Sequence, residues 1–242
     1  MIYKTGLLRG PPPELHFKTY FLEHRLPPVP AVFGHQNLIP KDRWGMLANN
    51  KIGDCTVASN MHCSKLFNAI VGNPVRFTDL DAQDDYSAVS GYIPGDVTTD
   101  GGANMVQVCS YWQKTGMRDS HNKRHKIIGY LAVDPKYLDR VFAAAYLFDA
   151  VKLGVQIPSS AQRQFMAGRP WANVAGDEIE GYHDVPLIGR LANGNGVVVT
   201  WGRSQEVVMA WLAQNLNEVV FYAENMNILV VKSGMYGLQY AN

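Results

Sequence analysis

This chain predicts an α+β protein with an extended N-terminal arm, and three observations carry that reading. Apolar residues recur at helical spacing through the first half, they alternate at strand spacing after Asp149, and seven of the 13 prolines fall within the first forty residues. Helices first and strands after is a two-lobed arrangement with a cleft between the lobes. The arm is placed at residues 1–37 and one domain at 38–242, with a helical lobe at about 50–150 and a β lobe at about 150–235.

In the arm, Pro11-Pro12-Pro13 and Pro27-Pro28-Val29-Pro30 exclude regular helix and central strand. Phe17, Tyr20, Phe21, Leu22 and Phe33 are too many aromatics for a disordered tail. Such an arm must lie on its own globular body or on a neighbouring subunit.

Asp54 is a suitable N-cap for a helix opening at Cys55 and carrying Val57, Ala58, Met61, Leu66 and Ile70 on its apolar face. Asn104 to Thr115 sets Met105, Val108, Cys109 and Trp112 on one face and stops at Gly116. Asp134-Pro135 starts a third helix with Leu138, Val141, Phe142 and Ala145 inward. Val151, Leu153, Val155 and Ile157 then alternate as a half-buried strand, and Pro158-Ser159-Ser160 opens a short helix through Phe165. Further strands are expected at Val185 to Leu191, Gly196 to Trp201, Val219 to Ala223 and Ile228 to Val231, with a helix over Gln205 to Leu216.

With 242 residues, 47% hydrophobic and 18% charged, the chain can bury a sizeable core. A net charge of +1 argues against a dedicated nucleic-acid or anionic-membrane surface. Met1 is not followed by a secretory leader, and no apolar run is long enough to span a bilayer, so a cytoplasmic site, or an assembly formed there, is expected. Cys55, Cys63 and Cys109 form no paired framework and read as reduced thiols. No cofactor and no metal are expected. His62 lies on one helical face with Cys55 but the two lack a third ligand, and the acidic run from Asp79 to Asp85 lacks the glycine and glutamate of a calcium loop. The basic run His121 to Lys126 reads as a solvated loop.

Cys55 carries the chemistry. A thiol in the first turn of a helix meets unpaired N–H groups and the positive end of the dipole, which favour thiolate. The segment alone equally admits a buried, inert helix cysteine. Gly181-Tyr182-His183-Asp184 brings a histidine into a strand, and a base on a rigid strand facing a helix-borne thiol suits thiol hydrolysis.

The order of parts resembles the papain-like cysteine peptidase fold over roughly residues 38 to 225: Ile39-Pro40-Lys41-Asp42-Arg43-Trp44, Cys55 opening a helix, Asp100-Gly101-Gly102 leading another, the histidine strand, and the Trp201-Gly202 corner. The resemblance implies Cys55 as nucleophile, His183 as general base and Asn49 as oxyanion donor in place of the family's glutamine. The family's orienting amide has no match, since Val199 occupies that position; with the strand offset by one, Thr200 becomes the orienter. The implied substrate is a peptide, isopeptide or peptidoglycan stem-peptide bond.

Phe33-Gly34-His35, Trp44-Gly45-Met46-Leu47, Gly53-Asp54-Cys55 and Val199-Thr200-Trp201-Gly202 also resemble a group of papain-fold proteins encoded by tailed bacteriophages and prophages. That implies a virion-associated structural protein, contacting other virion proteins or further copies of itself through the arm, with a degenerate Cys-His site. The active thiol peptidase is the alternative.

Overall fold

The computed structural model describes residues 3–14 and 28–223. Strands β1 (Leu7–Leu8) and β2 (Phe33–Gly34) belong to the arm and precede helix α1 (Cys55–Ile70). Every residue of α1 from Cys55 to Phe67 except Lys65 is buried, so it runs through the middle of the protein rather than along its surface. Helix α2 (Asp79–Ser90) had no place in the sequence reading, because its apolar stripe is weak. Its ends were nevertheless legible: Thr78 and Asp81 form a capping box, and Gly91 closes the helix at φ 79°. Strand β3 (Ala103–Asn104) leads into α3 (Met105–Lys114), where Asn104 Oδ1 accepts from the Gln107 N–H at 2.8 Å.

A small hairpin, β4 (Met117–Arg118) with β5 (Arg124–His125), replaces the expected solvated loop. Its turn is tied by His125 Nε2 to Asp119 Oδ2 at 2.8 Å. Strand β6 (Gly129–Ala132) and helix α4 (Leu138–Phe148) follow. The helix starts three residues beyond Pro135, because the Asp134 carboxylate accepts from the Lys136 N–H and makes a turn of its own.

The β lobe contains β7 (Val151–Pro158), α5 (Ser159–Met166), β8 (Ile179–Arg190), β9 (Gly196–Thr200), β10 (Arg203–Val207), α6 (Met209–Asn215) and β11 (Leu216–Ala223). The expected helix from Gln205 is a strand at first, since residues 203–207 pair antiparallel with β9. The expected strand Ile228 to Val231 lies outside the described residues, as do Phe17, Tyr20, Phe21 and Leu22 of the arm. The sheet order is β10-β9-β8-β7-β11-β6, with β2 on β8, and its pairings are antiparallel. One apolar core gathers on α1, α2 and α3, and a second between the sheet and α4, α5 and α6. The two lobes meet where α1 begins and β8 passes.

Among the described residues no helix is long and apolar enough to cross a membrane.

Candidate active site

Cys55 is the first residue of α1 and is 1% exposed. The loop ahead of it carries positive φ at Gly45, Leu47 and Ala48, a turn that delivers Asn49 to a buried position. The Asn49 amide nitrogen stands 3.5 Å from the Ile52 carbonyl and lies beside the Asp54 carboxyl. Asp54 occupies the N-cap position, yet its side chain caps nothing. Both carboxyl oxygens are buried without a hydrogen-bond partner, and burial pushes this acid well above the usual carboxylate range.

His183 sits in β8 opposite Val155 of β7 and is 1% exposed. Its Nε2 lies 2.8 Å from Thr200 Oγ1, at the end of β9. Trp201 stacks on the ring at 4.8 Å between centroids and 23° between planes, and it adopts φ 42° to do so. A bulky residue in the left-handed region is strained, and the Gly45–Gly202 bridge holds the corner that enforces it. The remaining nitrogen, Nδ1, is buried and has no hydrogen-bond partner. The Cys55 sulfur therefore does not reach the imidazole as a hydrogen-bond partner; it is met by the backbone of Asp184, one residue further along β8.

Electrostatics reverse one expectation from the sequence. Burial, followed by the charge of Asp184, pushes the Cys55 thiol far up, outweighing the helix terminus. Burial pushes His183 down to about 3. The resting pair is a neutral thiol and a neutral imidazole.

The arm adds to this burial: residues Tyr3 to Leu8 lie in the cleft as a strap. Tyr3 stacks on the other side of Trp201 at 5.0 Å and exchanges backbone hydrogen bonds with the Gln162 amide. Trp201 Nε1 donates to the Lys4 carbonyl at 3.2 Å. Gly6 passes so close to Gly53 that a Cβ on it would overlap the Gly53 carbonyl. The Gly6 backbone touches the Cys55 sulfur, while its carbonyl accepts from the Ala103 N–H at 3.0 Å. Leu7 pairs parallel with Ala103 and presses its side chain against Gly154 and toward Met105. Glycines 53, 102, 154 and 181 line this path, and their missing side chains make the room a peptide backbone needs.

Asp100 and Tyr86, which sequence reasoning missed as site residues, set the width of the cleft. The Gly53 N–H donates to both Asp100 oxygens at 3.0 and 3.1 Å, the Tyr86 hydroxyl donates to Asp100 Oδ1 at 2.8 Å, and the Gly102 N–H donates to the Tyr86 hydroxyl at 2.8 Å. Both cleft walls thus hang on one carboxylate. The Asp100-Gly101-Gly102 signal was visible, but not its partner in α2.

His62 is a structural residue: its Nε2 donates to the Gly45 carbonyl at 2.9 Å, and its ring meets Trp44 edge-on. Within the described arm, residues 3–8 and Phe33, which packs on Phe142 and Tyr146, lie against the chain's own body.

The architecture is that of papain-like cysteine proteases. The fold is similar to that of xylellain, a cysteine protease from Xylella fastidiosa, at TM-score 0.67 and 12% identity, covering 92% of this chain and 97% of that one. It is similar to digestive procathepsin L 3 of Tenebrio molitor larval midgut (TM-score 0.63, 12% identity, 89% and 76% covered). It also resembles the proform of the ragweed pollen cysteine protease Amb a 11 (TM-score 0.60, 19% identity, 90% and 72% covered). No family model matches the sequence, and no curated protein does.

Proposed function

We propose that the protein is a latent cysteine peptidase whose cleft is closed by its own N-terminal strap. One observation carries this: an extended peptide, Tyr3 to Leu8, already lies along the cleft with its backbone against the Cys55 sulfur. A cleft shaped for a polypeptide backbone and crossed by a helix-terminal thiol suits attack on a peptide carbonyl.

The strap is spared by its geometry. The Gly6 carbonyl that an attack would need is engaged by Ala103, and the water-free site keeps the thiol protonated. With the strap gone, solvent reaches the pair and the barrier to ionising Cys55 falls. His183 Nδ1 then accepts the thiol proton, Thr200 accepts from the Nε2–H that remains, and sulfur bonds to the substrate carbonyl carbon. The Cys55 backbone N–H and the Asn49 amide, turned from Ile52, receive the oxyanion. His183 returns its proton to the leaving amine, and water releases the acyl group by the reverse path. Two of the similar proteins, the ragweed protease and the Tenebrio procathepsin, are proforms, which fits this reading.

The test is hydrolysis of a fluorogenic peptide library by the full chain carrying Gly6→Val, which expels the strap. Turnover abolished by adding Cys55→Ala is expected; no turnover, with Cys55 alkylated freely, would refute the peptidase. A virion-component role through the arm is the other reading, and it would be favoured if the unaltered chain were recovered in phage particles while the Gly6→Val protein cut nothing.

A further inference from the structure

Lys152 is a lysine with no exposed surface, near the start of β7. A lysine ammonium has three protons to donate. The ammonium donates to the Thr56 carbonyl at 2.9 Å and to Asn60 Oδ1 at 2.6 Å, and forms an ion pair with Asp184 Oδ2 at 2.8 Å. Thr56 follows Cys55 in α1, and Asp184 follows His183 in β8. One buried cation thus holds the residue next to the thiol and the residue next to the imidazole. Asn60 extends the link, its amide lying 3.4 Å from the Val108 carbonyl of α3.

Fold stability does not require such a pair. Two charges lose their hydration on burial, and apolar residues of similar volume often serve as well. What a buried ion pair with directed hydrogen bonds supplies is a fixed relation between elements. That relation here is the one between nucleophile helix and histidine strand.

We propose that Lys152 and Asp184 are positioning residues for the Cys55–His183 pair, the ammonium setting α1 against β8 and the carboxylate holding negative charge beside the thiol. This rests on the reading that Cys55 and His183 react. The titratable groups facing the ion pair are Cys55 and Cys63 of α1, Cys109 of α3, and Glu218 and Tyr222 of β11. Asp184 is the largest charge influence on Cys55, and it works against thiolate formation.

The experiment is the pH dependence of Cys55 alkylation by iodoacetamide in the full chain, followed by peptide mapping, with Cys63 and Cys109 as internal controls for global opening. Asp184→Asn, which leaves the cation unopposed, should move the Cys55 profile toward lower pH by about one unit, or about tenfold faster alkylation at fixed pH. Lys152→Met should move it the other way. A purely structural role would loosen the cleft in both variants and speed both. Where a single variant does not fold, Lys152→Met/Asp184→Asn decides, because it leaves no buried charge unpaired; its profile should also move to lower pH. An unchanged profile in that folded double variant, or the same shift in both single variants, overturns the proposal. Failure of the peptidase reading is distinguishable: peptides would stay uncut in the Gly6→Val protein while the Cys55 profile still followed Asp184.

Discussion

Thr200 Oγ1 lies 2.8 Å from His183 Nε2, in the place where a papain-like site holds an amide. A hydroxyl can accept from the ring and so select the tautomer with Nδ1 free for the thiol. Being neutral and small, it stabilises imidazolium less than an amide or carboxylate would.

Replacing that hydroxyl measures its contribution. Thr200→Val in the strap-expelled Gly6→Val protein should lower kcat by about fivefold, the worth of one neutral hydrogen bond of about 1 kcal/mol, with KM little changed. Thr200→Asn should restore or raise kcat. Steady-state kinetics on one fluorogenic peptide decides; equal rates in all three would remove Thr200 from the mechanism.

The strap depends on glycine where it crosses Gly53. Gly6→Ala introduces a Cβ into the Gly53 carbonyl, whereas Gly129→Ala meets nothing within 4 Å. Cys55 alkylation at pH 8 should rise by at least about tenfold in the first, since an opening cost of about 1.4 kcal/mol is removed for each factor of ten. The second should label as the unaltered chain does.

The Asp100–Tyr86 link should be worth stability as well as shape. Tyr86→Phe leaves the Gly102 N–H and one Asp100 contact without a partner, at a cost of about 1–3 kcal/mol. Urea unfolding should show this loss together with faster Cys55 labelling. Loss of stability with no change in labelling would separate the link from the cleft.

Acid should act through the buried imidazoles. His183 is held at about 3 and His62 at about 4, in both cases chiefly by burial, against 6.5 when unfolded. The unfolded chain therefore binds more protons between these values, and the stability from keeping each ring neutral is present above about pH 6.5 and lost as pH falls toward the folded value. Relative to His62→Gln, the unaltered chain should lose at most about 1.4 kcal/mol per pH unit between 6.5 and 4. Asp184, raised to about 6 by burial, has the opposite slope, so the comparison must be made between variants rather than on one melting curve. Parallel stability curves would show that His62 is not held neutral.

The sequence by itself determined the α+β class, the thiol at the head of α1, the histidine in β8 and the Trp201-Gly202 corner, because each follows from local rules: a 3.6 or 2.0 repeat, a turn residue, a helix start. It also held the caps of α2, legible in Thr78, Asp81 and Gly91 even where the apolar stripe was not. Only the tertiary structure decided that the arm enters its own cleft, since proline and aromatic content require a surface to lie on without naming which. It likewise reversed the sign of the Cys55 shift: a helix terminus favours thiolate locally, but burial within the folded body, with Asp184 from 129 residues downstream, outweighs it. Lys152, a charge in an otherwise apolar strand pattern, carried its meaning only once folding brought Thr56, Asn60 and Asp184 around it, because a buried ammonium is defined by partners that sequence distance hides.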